Sequence, residues 1–489
     1  MPADHQVDPA AILGFLDAIG ARPDIEMHSL MVVRHGHVVA EGWWAPYSAG
    51  RPHLLYSLSK SFTSTAAAFA QAEGLLDLDD AVVGHFPEFA AEITDPRSRS
   101  VKIRHVAAMA SGHDREMLPE AVSRDRDEPV RGFLLIPPDR EPGTVFAYSQ
   151  PCTYTLASII QRNAGMPLTR YLRSRLLDPL GIGHVGWHTF PPGREQGFSG
   201  LHARTEDIAK LGLLYLQRGQ WEGAQLIPAE WVAEATSKQV SNGDEPGSDW
   251  AQGYGFQFWM SRHGYRGDGA FGQFCVILPE QDTVIATTAY TLDMQAVLDA
   301  LWNHLLPGLG TVSSGTVSSG ALSSSTGAAG DRLKARLASL ELAASPGAAA
   351  PSDWGPWTSG PFPITAGPAG APVQPFLTSV EVAPGAGGWQ ITLAEPGNAL
   401  TVPVGAGAWA VSDHADRHGE IIPVAASGGW LDDRTVRAEI IFLETPHRMD
   451  ITCSLPGRTA EAGWRHPPLS PSKLQHLHCP AQASDGRAG

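Results

Sequence analysis

The alternation of apolar and polar positions predicts secondary structure from the first residues of the chain onward. Apolar side chains recur at helical spacing over Pro9–Gly20, directly behind Asp8, which predicts an amphipathic helix capped by that aspartate. The stretch HSLMVVRHGHVVAEGWW then holds two β-branched runs separated by Arg34-His35-Gly36. Such runs around a short polar break predict a β-hairpin. A second helix is predicted from Ser57 to a terminating glycine, Gly74.

Between residues 75 and 306 the pattern predicts helices first and strands afterwards. Residues 75–250 alternate helical stretches with loops rich in Pro, Gly and Asp, and TEDIAKLGLLYLQRG predicts a helix with Thr205 as its N-cap. Strand patterns follow in GYGFQFW (253–259), AFGQFCVIL and TVIATTAY, and a helix is predicted at 292–306. Strands near both ends with helices between them predict an antiparallel sheet closed by its own termini.

The remainder of the chain has a different composition. Residues 307–330 are rich in Gly and Ser and predict a flexible linker, which a short helical stretch, DRLKARLASLELAA, follows. Strand character returns in WQITLA, RTVRAEIIFLET and RMDITCSL. We therefore predict four segments: an α+β domain over 1–306, a linker with a short helix over 307–351, a β-rich accessory domain over 352–468, and a tail over 469–489.

Composition narrows the class of protein. The chain has 489 residues, of which 43% are apolar and 18% charged, as expected for a soluble globular protein with two or three domains. Its formal net charge of -16 argues against nucleic acid or an anionic membrane surface as a partner. The acidic start does not resemble a signal peptide, and no apolar run is long enough to span a membrane. With four widely spaced cysteines, these features lead us to expect a cytoplasmic protein.

Metal and cofactor chemistry is not indicated by the sequence. The pairs His35-x-His37 and His476-x-His478 lie in a predicted turn and a predicted tail, and we interpret them as solvated surface rather than metal ligands. The chain contains no HExxH motif, no Gly-rich phosphate loop and no G-x-S-x-G nucleophile elbow. We therefore expect neither a metal nor another cofactor.

The stretch LLYSLSKSFTSTAAAFA (54–70) carries the candidate chemistry. Positions three apart share a helix face, so Ser57 Oγ and Lys60 Nζ can meet. A serine needs a neighbouring base to become a nucleophile, and a buried lysine whose pKa is lowered can be that base. Unpaired N–H groups at a helix N-terminus would also stabilise an oxyanion. The alternative interpretation is an ordinary helix start with capping hydroxyls.

The surrounding motifs favour the catalytic interpretation through a family resemblance. The S-x-x-K helix, followed by EGLLDLDDAVVGHFPE and IRHVAAMASGHD, resembles the serine β-lactamase and penicillin-binding-protein superfamily, in particular class C β-lactamase-like esterases and peptidases. The resemblance covers residues 8–306. The superfamily's Tyr-x-Asn element corresponds to Tyr148 and Gln150 in EPGTVFAYSQPCTYTLASIIQRNAG. Its Lys-Thr-Gly or His-x-Gly element corresponds to Gly267-Asp268-Gly269, where the usual cation is missing.

The resemblance implies a fold, a mechanism and a set of site residues. The expected fold is β-lactamase/transpeptidase-like, an antiparallel sheet flanked by helices with a helical subdomain. Ser57 would attack a carbonyl to form an acyl-enzyme, while Lys60 and Tyr148 share the proton. The amides of Ser57 and Ala270 would form the oxyanion hole. The residues expected to contact substrate are Gln150, Gly267, Asp268 and Gly269.

The departures from the family pattern guide the substrate prediction. Asp268 stands near the place of the missing cation, so an anionic substrate would be repelled unless Arg266 or His263 compensates the charge of Asp268. The alternative is that Asp268 is simply a turn residue between two glycines. We expect a serine hydrolase that acts on a small ester or amide, with esters preferred. The alternatives are a D-aminopeptidase, a weak β-lactamase, or a decayed module that only binds penicillin or peptide. The sequence does not predict the oligomeric state.

Overall fold

A computed structural model describes residues 2–310, 324–366, 372–385 and 388–481. The chain forms two compact units, the first of Met1–Gly42, Leu55–Ala338 and Ala481–Gly489, and the second of Trp43–Leu54 and Ser339–Pro480. Most of the linker predicted over 307–330 lies outside the described residues, as does the end of the predicted tail. Among the described residues, no helix has the length and apolar character that crossing a membrane requires.

The first unit is mixed in secondary structure. Its α-helices are Pro9–Gly20, Ser59–Ala72, Pro96–Ser100, Ile103–Ala107, Leu118–Arg124, Pro129–Leu134, Gln150–Ala164, Leu168–Leu172, Thr205–Leu216, Ala229–Ala235, Met294–Ala300 and Ser324–Ala338. Its strands outside the main sheet are Gly186–Trp187, Leu201–Ala203, Gln220–Trp221 and Ala224–Gln225. Single turns of 3-10 or π-helix occur at Pro2–His5, Tyr56–Leu58, Val82–His85, Arg173–Leu177, Pro279–Gln281, Leu301–Leu305 and Leu306–Gly308.

A six-stranded sheet forms the centre of the first unit. Its order is His37–Trp43, Glu26–Arg34, Thr283–Tyr290, Gln273–Leu278, Tyr265–Gly269 and Trp259–Met260. Glu26–Arg34 pairs antiparallel with Thr283–Tyr290 from end to end, so early and late strands of this unit lie side by side. The predicted sheet closed by its own termini is therefore confirmed.

Small side chains let a helix pack closely on this sheet. The helix Thr205–Leu216 lies against the middle strands, where Cys275 Sγ contacts the Ile208 carbonyl oxygen at 3.4 Å. A Cβ atom at Gly212 would stand only 2.6 Å from Val284 Cγ1, so the helix approaches this closely because position 212 has no side chain. The same helix begins one residue earlier than predicted. Arg204 is its N-cap, and Asp207 Oδ2 accepts the Arg204 N–H at 2.9 Å.

Local patterns succeeded at the N-terminus and failed near residue 255. The helix Pro9–Gly20 and its cap are confirmed, since Asp8 Oδ1 accepts the Ala10 N–H at 2.9 Å. The hairpin is also confirmed, with strands Glu26–Arg34 and His37–Trp43. The strand predicted for 253–259 is wrong, because only Trp259–Met260 is extended. Gln257 takes a φ of 65°, which is incompatible with a regular strand. The neighbouring aromatic side chains are buried, but the segment that carries them is irregular.

The second unit is a nine-stranded sheet. Its order is Asn398–Val404, Gly388–Glu395, Ser379–Gly385, Phe362–Ala366, Thr459–His466, Arg448–Ser454, Thr435–Phe442, Ile421–Asp432 and Ala410–Ala415. The chain leaving the first strand of this order bonds to the last strand but one: the Gly405 N–H donates to the Ala426 carbonyl at 3.2 Å, and the Gly428 N–H donates to the Gly405 carbonyl at 3.0 Å. Apolar side chains such as Ile391, Leu400 and Val402 alternate into one core. The predicted β-rich C-terminal region is confirmed.

Three segments outside the predicted accessory domain belong to this second unit, namely 43–54, 339–351 and 469–480. In Trp43–Leu54, the Ala45 N–H donates to the Leu340 carbonyl at 3.0 Å and the Tyr47 hydroxyl donates to the Thr445 carbonyl at 3.1 Å. Toward the end of the chain, Leu474 is buried and its N–H donates to the Glu395 carboxylate at 3.1 Å. In the other direction, the helix Ser324–Ala338, which falls within the predicted linker, lies in the first unit and packs on Pro9–Gly20.

Candidate active site

Ser57 lies on a single 3-10 turn, Tyr56–Leu58, immediately before the α-helix Ser59–Ala72. The α-helix therefore begins two residues later than predicted, and Ser57 stands in front of it, half-buried. Tyr56 takes a φ of 49°, a left-handed conformation that is rare for a bulky residue. Its ring packs edge-on against Phe271 at 5.3 Å. Strained backbone of this kind persists where the surroundings enforce it, and it is frequent beside catalytic groups.

Lys60 connects Ser57 to the rest of the site. Its buried Nζ lies 3.1 Å from Ser57 Oγ, 2.6 Å from Gln150 Oε1 and 2.8 Å from the Phe198 carbonyl oxygen. Burial lowers the pKa of Lys60 to about 7, although the charges of Glu116 and Asp268 oppose that shift. A neutral amine has two N–H donors and one lone pair. Since two neighbours of Nζ are carbonyl oxygens that can only accept, the lone pair is left for the Ser57 hydroxyl.

The other two serines of the motif have structural hydrogen bonds. Ser59 Oγ donates to the Tyr56 carbonyl at 2.6 Å and accepts the Leu201 N–H at 3.0 Å. Ser61 Oγ donates to the Gln257 carbonyl at 3.0 Å. Both side chains are engaged away from Lys60, so among the three serines Ser57 is the one placed against the lysine. Ser57 is thus the hydroxyl next to the buried amine, whereas Ser59 and Ser61 bond to backbone groups.

Tyr148 lies on the other side of Ser57. Its hydroxyl is hydrogen-bonded to Ser57, and Lys60 Nζ stands 4.8 Å from the centre of its ring. The ring stacks on Trp259 at 5.2 Å and meets the edge of Tyr254 at 6.2 Å. Burial raises the pKa of the Tyr148 phenol, so at neutral pH it holds its proton. A protonated phenol in this place is suited to give a proton to a leaving group.

Gln150 occupies the third position of the Tyr-x-Asn element and is brought into the site. It is the first residue of the helix Gln150–Ala164, and its side-chain oxygen accepts a hydrogen bond from Lys60. Its backbone N–H donates to Glu116 Oε2 at 3.0 Å. Glu116 and the Phe198 carbonyl were not predicted from the sequence, because both come from loops and neither belongs to a motif.

The segment Gly267-Asp268-Gly269 lies on the strand Tyr265–Gly269 and not in a turn. Its glycines face the turn that carries Ser57: a Cβ at Gly267 would lie 2.3 Å from Leu58 Cδ1, and one at Gly269 would lie 2.1 Å from the Leu55 carbonyl oxygen. Any side chain at position 267 would require the Leu58 and Ser61 side chains to move. The strand end leads directly to Ala270, next to the same turn.

Asp268 is held in a buried ion pair. Its Oδ2 accepts Arg266 Nε at 2.8 Å, with side-chain exposures of 7% and 0% respectively. Arg266 also donates from Nη1 to the Asp249 carbonyl at 2.8 Å and to Ser261 Oγ at 2.7 Å. Burial raises the pKa of the Asp268 carboxyl against the opposing effect of Arg266. Of the two side chains that the sequence suggested could compensate Asp268, Arg266 does so, while His263 packs on the Trp302 ring at 5.0 Å.

No metal centre accompanies this site in the described ranges, where no group of three or more His, Cys, Asp or Glu side chains could hold an ion. The Beta-lactamase family model matches residues 15–305. The chain belongs to the β-lactamase family. The matched range agrees with the resemblance inferred over residues 8–306, and the chain is accordingly a hydrolase with the β-lactamase/transpeptidase-like fold.

Relatives with different names share this part of the chain. The 6-aminohexanoate-dimer hydrolase of Paenarthrobacter ureafaciens is 26% identical over 310 residues, 57% of this chain and 78% of the relative. Esterase EstB of Burkholderia gladioli is 27% identical over 221 residues, 40% of this chain and 56% of the relative. A β-lactamase of Providencia stuartii is 24% identical over 189 residues, 39% of this chain and 47% of the relative. This chain thus covers about half the length of the last two.

A solved structure supports the fold assignment. A Bacteroides dorei protein described as a candidate β-lactamase superposes with a TM-score of 0.52 at 14% identity, covering 61% of this chain and 99% of that chain. At this identity the likeness concerns the fold alone. Esterases, β-lactamases and an amide hydrolase thus occur among the relatives of this serine hydrolase family member.

Proposed function

We propose that this protein is a carboxylesterase-like serine hydrolase that forms an acyl-enzyme at Ser57 on small ester substrates. The observation that carries the proposal is the 3.1 Å contact between Ser57 Oγ and the Nζ of a buried lysine whose pKa is about 7. A lysine with this pKa is about half neutral at neutral pH, and its neutral form can accept a proton.

The proton path follows from the protonation states of the two partners. Neutral Lys60 takes the proton of Ser57 as Oγ bonds to the substrate carbonyl carbon, and the carbonyl oxygen becomes an oxyanion. As the bond to the leaving group breaks, the Tyr148 phenol gives its proton to the leaving oxygen and is reprotonated by the Lys60 ammonium. The same groups, used in reverse with water, would release the acid. Tyr148 thus carries a proton between Lys60 and the substrate, and it does not act as a phenolate base in the resting enzyme.

The backbone supplies the proposed oxyanion hole. The Ser57 amide lies in the middle of the turn before the α-helix Ser59–Ala72, and Ala270 follows the strand end whose glycines pack on that turn. We propose that the amides of Ser57 and Ala270 point at the developing negative charge, where each N–H would contribute on the order of 10²–10³-fold in rate. The tight packing at Gly269 would hold the two amides at a fixed separation.

Electrostatics favour neutral esters over β-lactams. The carboxylate of a penicillin needs a cation, but position 267 is a glycine and the Arg266 charge is compensated by Asp268 inside the protein. Gln150, Gly267, Asp268 and Gly269 remain the proposed substrate-side residues, with Asp268 acting through its pair with Arg266. A carboxylate entering this cleft would leave water without gaining a free cation in return.

Amide hydrolysis is the second candidate. The relative named as 6-aminohexanoate-dimer hydrolase is covered over 78% of its length, more than the esterase or the β-lactamase described above. An amine leaving group requires a proton donor, and the raised pKa of Tyr148 keeps one available. A D-aminopeptidase activity would fall in this class.

A substrate panel and one variant test the proposal. Hydrolysis of short p-nitrophenyl esters, aminoacyl anilides and nitrocefin should rank esters first and nitrocefin last. Intact-mass spectrometry with an uncharged fluorophosphonate should show one adduct at Ser57. Ser57→Ala should abolish both signals, whereas Ser61→Ala, whose hydroxyl bonds the Gln257 carbonyl, should keep them. A fully active Ser57→Ala enzyme would contradict the assignment, and efficient nitrocefin turnover would contradict the substrate class.

A further inference from the structure

Glu116 lies in the loop before the helix Leu118–Arg124 and is hydrogen-bonded to the start of the helix that carries Gln150. Its exposed carboxylate accepts the Leu118 N–H through Oε1 at 2.6 Å and the Gln150 N–H through Oε2 at 3.0 Å. Next to it, the Met117 N–H donates to Ser149 Oγ at 3.2 Å. These bonds fix the start of the helix Gln150–Ala164, where a negative charge is also favoured by the helix dipole.

The hydrogen bonds continue from Glu116 to the nucleophile. The Gln150 N–H donates to the Glu116 carboxylate, and Gln150 Oε1 accepts a hydrogen bond from Lys60 Nζ at 2.6 Å. Nζ in turn lies 3.1 Å from Ser57 Oγ. A shift of the Gln150 backbone would move the acceptor that orients the lysine. The carboxylate of Glu116 is therefore connected to the base through a single residue.

Glu116 differs from the other titratable groups around Lys60 in its pairing. The titratable groups that face the lysine are Ser57, Glu116, Tyr148, Cys152, Asp268 and, behind it, Arg266. Tyr148 and Cys152 are neutral because burial raises the pKa of each, and Asp268 is paired with Arg266. Among these groups in the described part of the chain, Glu116 is the carboxylate that makes no salt bridge with an arginine or lysine.

We propose that Glu116 is a positioning residue for proton transfer at Ser57: it fixes Gln150, and its charge stabilises the ammonium that Lys60 becomes when it takes the serine proton. This inference rests on the proposed serine hydrolase function. It assigns a role to a loop residue outside the S-x-x-K, Tyr148 and glycine-strand elements. Direct contact with the substrate is not part of this role.

The sign of the expected effect follows from the charge. A nearby negative charge favours the protonated lysine, and removing it should lower the pKa of Lys60 further. Activity requires neutral Lys60, so the acid limb of the pH profile should move to lower pH. For an exposed carboxylate the shift should be about half a pH unit and should shrink as salt is added.

The test is the pH dependence of Ser57 labelling by an uncharged fluorophosphonate, which reports the free enzyme without a charged substrate. Wild type, Glu116→Gln and Glu116→Ala are compared between about pH 5 and 9. Asp114→Asn, which removes an exposed charge two residues away on the same loop, is the control. Glu116→Gln should shift the acid limb downward and keep most of the plateau rate, because an amide oxygen can still accept one of the two N–H groups.

Glu116→Ala should show the same shift together with a plateau rate about tenfold lower, because it also releases Gln150. Circular dichroism and the melting temperature establish that the variants are folded. An acid limb that is unchanged or raised in folded Glu116→Gln, or a shift of equal size in Asp114→Asn, would overturn the proposal while leaving the hydrolase assignment intact. Absence of wild-type labelling at Ser57 would instead remove the proposed function, and this inference with it.

Discussion

The replacement of Asp268 by asparagine should destabilise the first unit more than the loss of one exposed charge would. Arg266 has no exposed side-chain surface, and Asp268 is the carboxylate bonded to it. Asparagine keeps an oxygen that can accept the Arg266 Nε–H but removes the charge that compensates the guanidinium. The remaining Arg266 bonds go to the Asp249 and Met260 carbonyls and to Ser261 Oγ, which are neutral.

The magnitude follows from the burial of the pair. Removing one partner of a buried ion pair costs about 3–5 kcal/mol of the free energy of unfolding, because the other charge stays uncompensated. Retention of the Nε hydrogen bond should reduce the loss by about 1 kcal/mol. A net loss of about 2–4 kcal/mol in a unit of this size corresponds to a fall in melting temperature of roughly 4–8 °C.

Differential scanning calorimetry measures this effect, with the transition of the first unit assigned by loss of esterase activity. Asp24→Asn is the matched control, because Asp24 also pairs with an arginine, Arg22, but both side chains are exposed. Its melting temperature should not change. Adding Arg266→Met to Asp268→Asn should recover part of the loss, since the unpaired buried charge is then gone. A melting temperature equal to wild type in Asp268→Asn would refute the energetic role of the buried pair.

Three further predictions concern the site and the domain boundary. With an ester substrate, kcat/KM should rise with pH through an apparent pKa near 7, because neutral Lys60 is the proposed base; a flat profile down to about pH 5 would contradict that role. Lys60→Ala and Tyr148→Phe should each lower kcat by about 10²–10⁴-fold, and the double variant should lose much less than the product; multiplicative losses would indicate independent roles. Limited proteolysis should cut within 307–350, first in its Gly/Ser-rich part, and leave an active N-terminal fragment; inactivation on cleavage would show that the fragment depends on the rest.

Features set by local pattern were predicted from the sequence. The cap at Asp8, the hairpin around Gly36 and the S-x-x-K spacing depend on residues within one or two turns of each other, so a single stretch contains the information. The pairing of Arg266 with Asp268 was accessible in principle, because residues two apart on a strand share a face. However, the glycines on either side of Asp268 favour a turn over a strand. In a turn, residues two positions apart need not share a face, so the pairing could not be inferred.

Features set by distant contacts could not be predicted in the same way. Glu116 reaches Gln150 across 34 positions of sequence, and no motif marks a loop glutamate as a partner of a helix start. The irregular backbone at Gln257 was missed because the aromatic residues around it match the pattern of a strand. In the structure these aromatic side chains are buried although the backbone that carries them is not a strand. The assignment of Trp43–Leu54 to the second unit has no local signal either, since an extended segment does not specify which strands it will meet.

That divided second unit has a consequence for how the protein is made on the ribosome. Trp43–Leu54 leaves the exit tunnel well before its partners, because residue 339, where the second unit resumes, follows residue 54 by 285 positions. At about 5–20 residues per second, the segment waits on the order of 15–60 s before those partners are synthesised. During that interval the residues of the first unit on either side of 43–54 can already fold together. The residues that will bury Tyr47 have still to be synthesised. Nascent chains stalled before residue 339 should therefore bind chaperones through this segment, and a truncated chain that begins at residue 339 should fold poorly unless the peptide 43–54 is supplied.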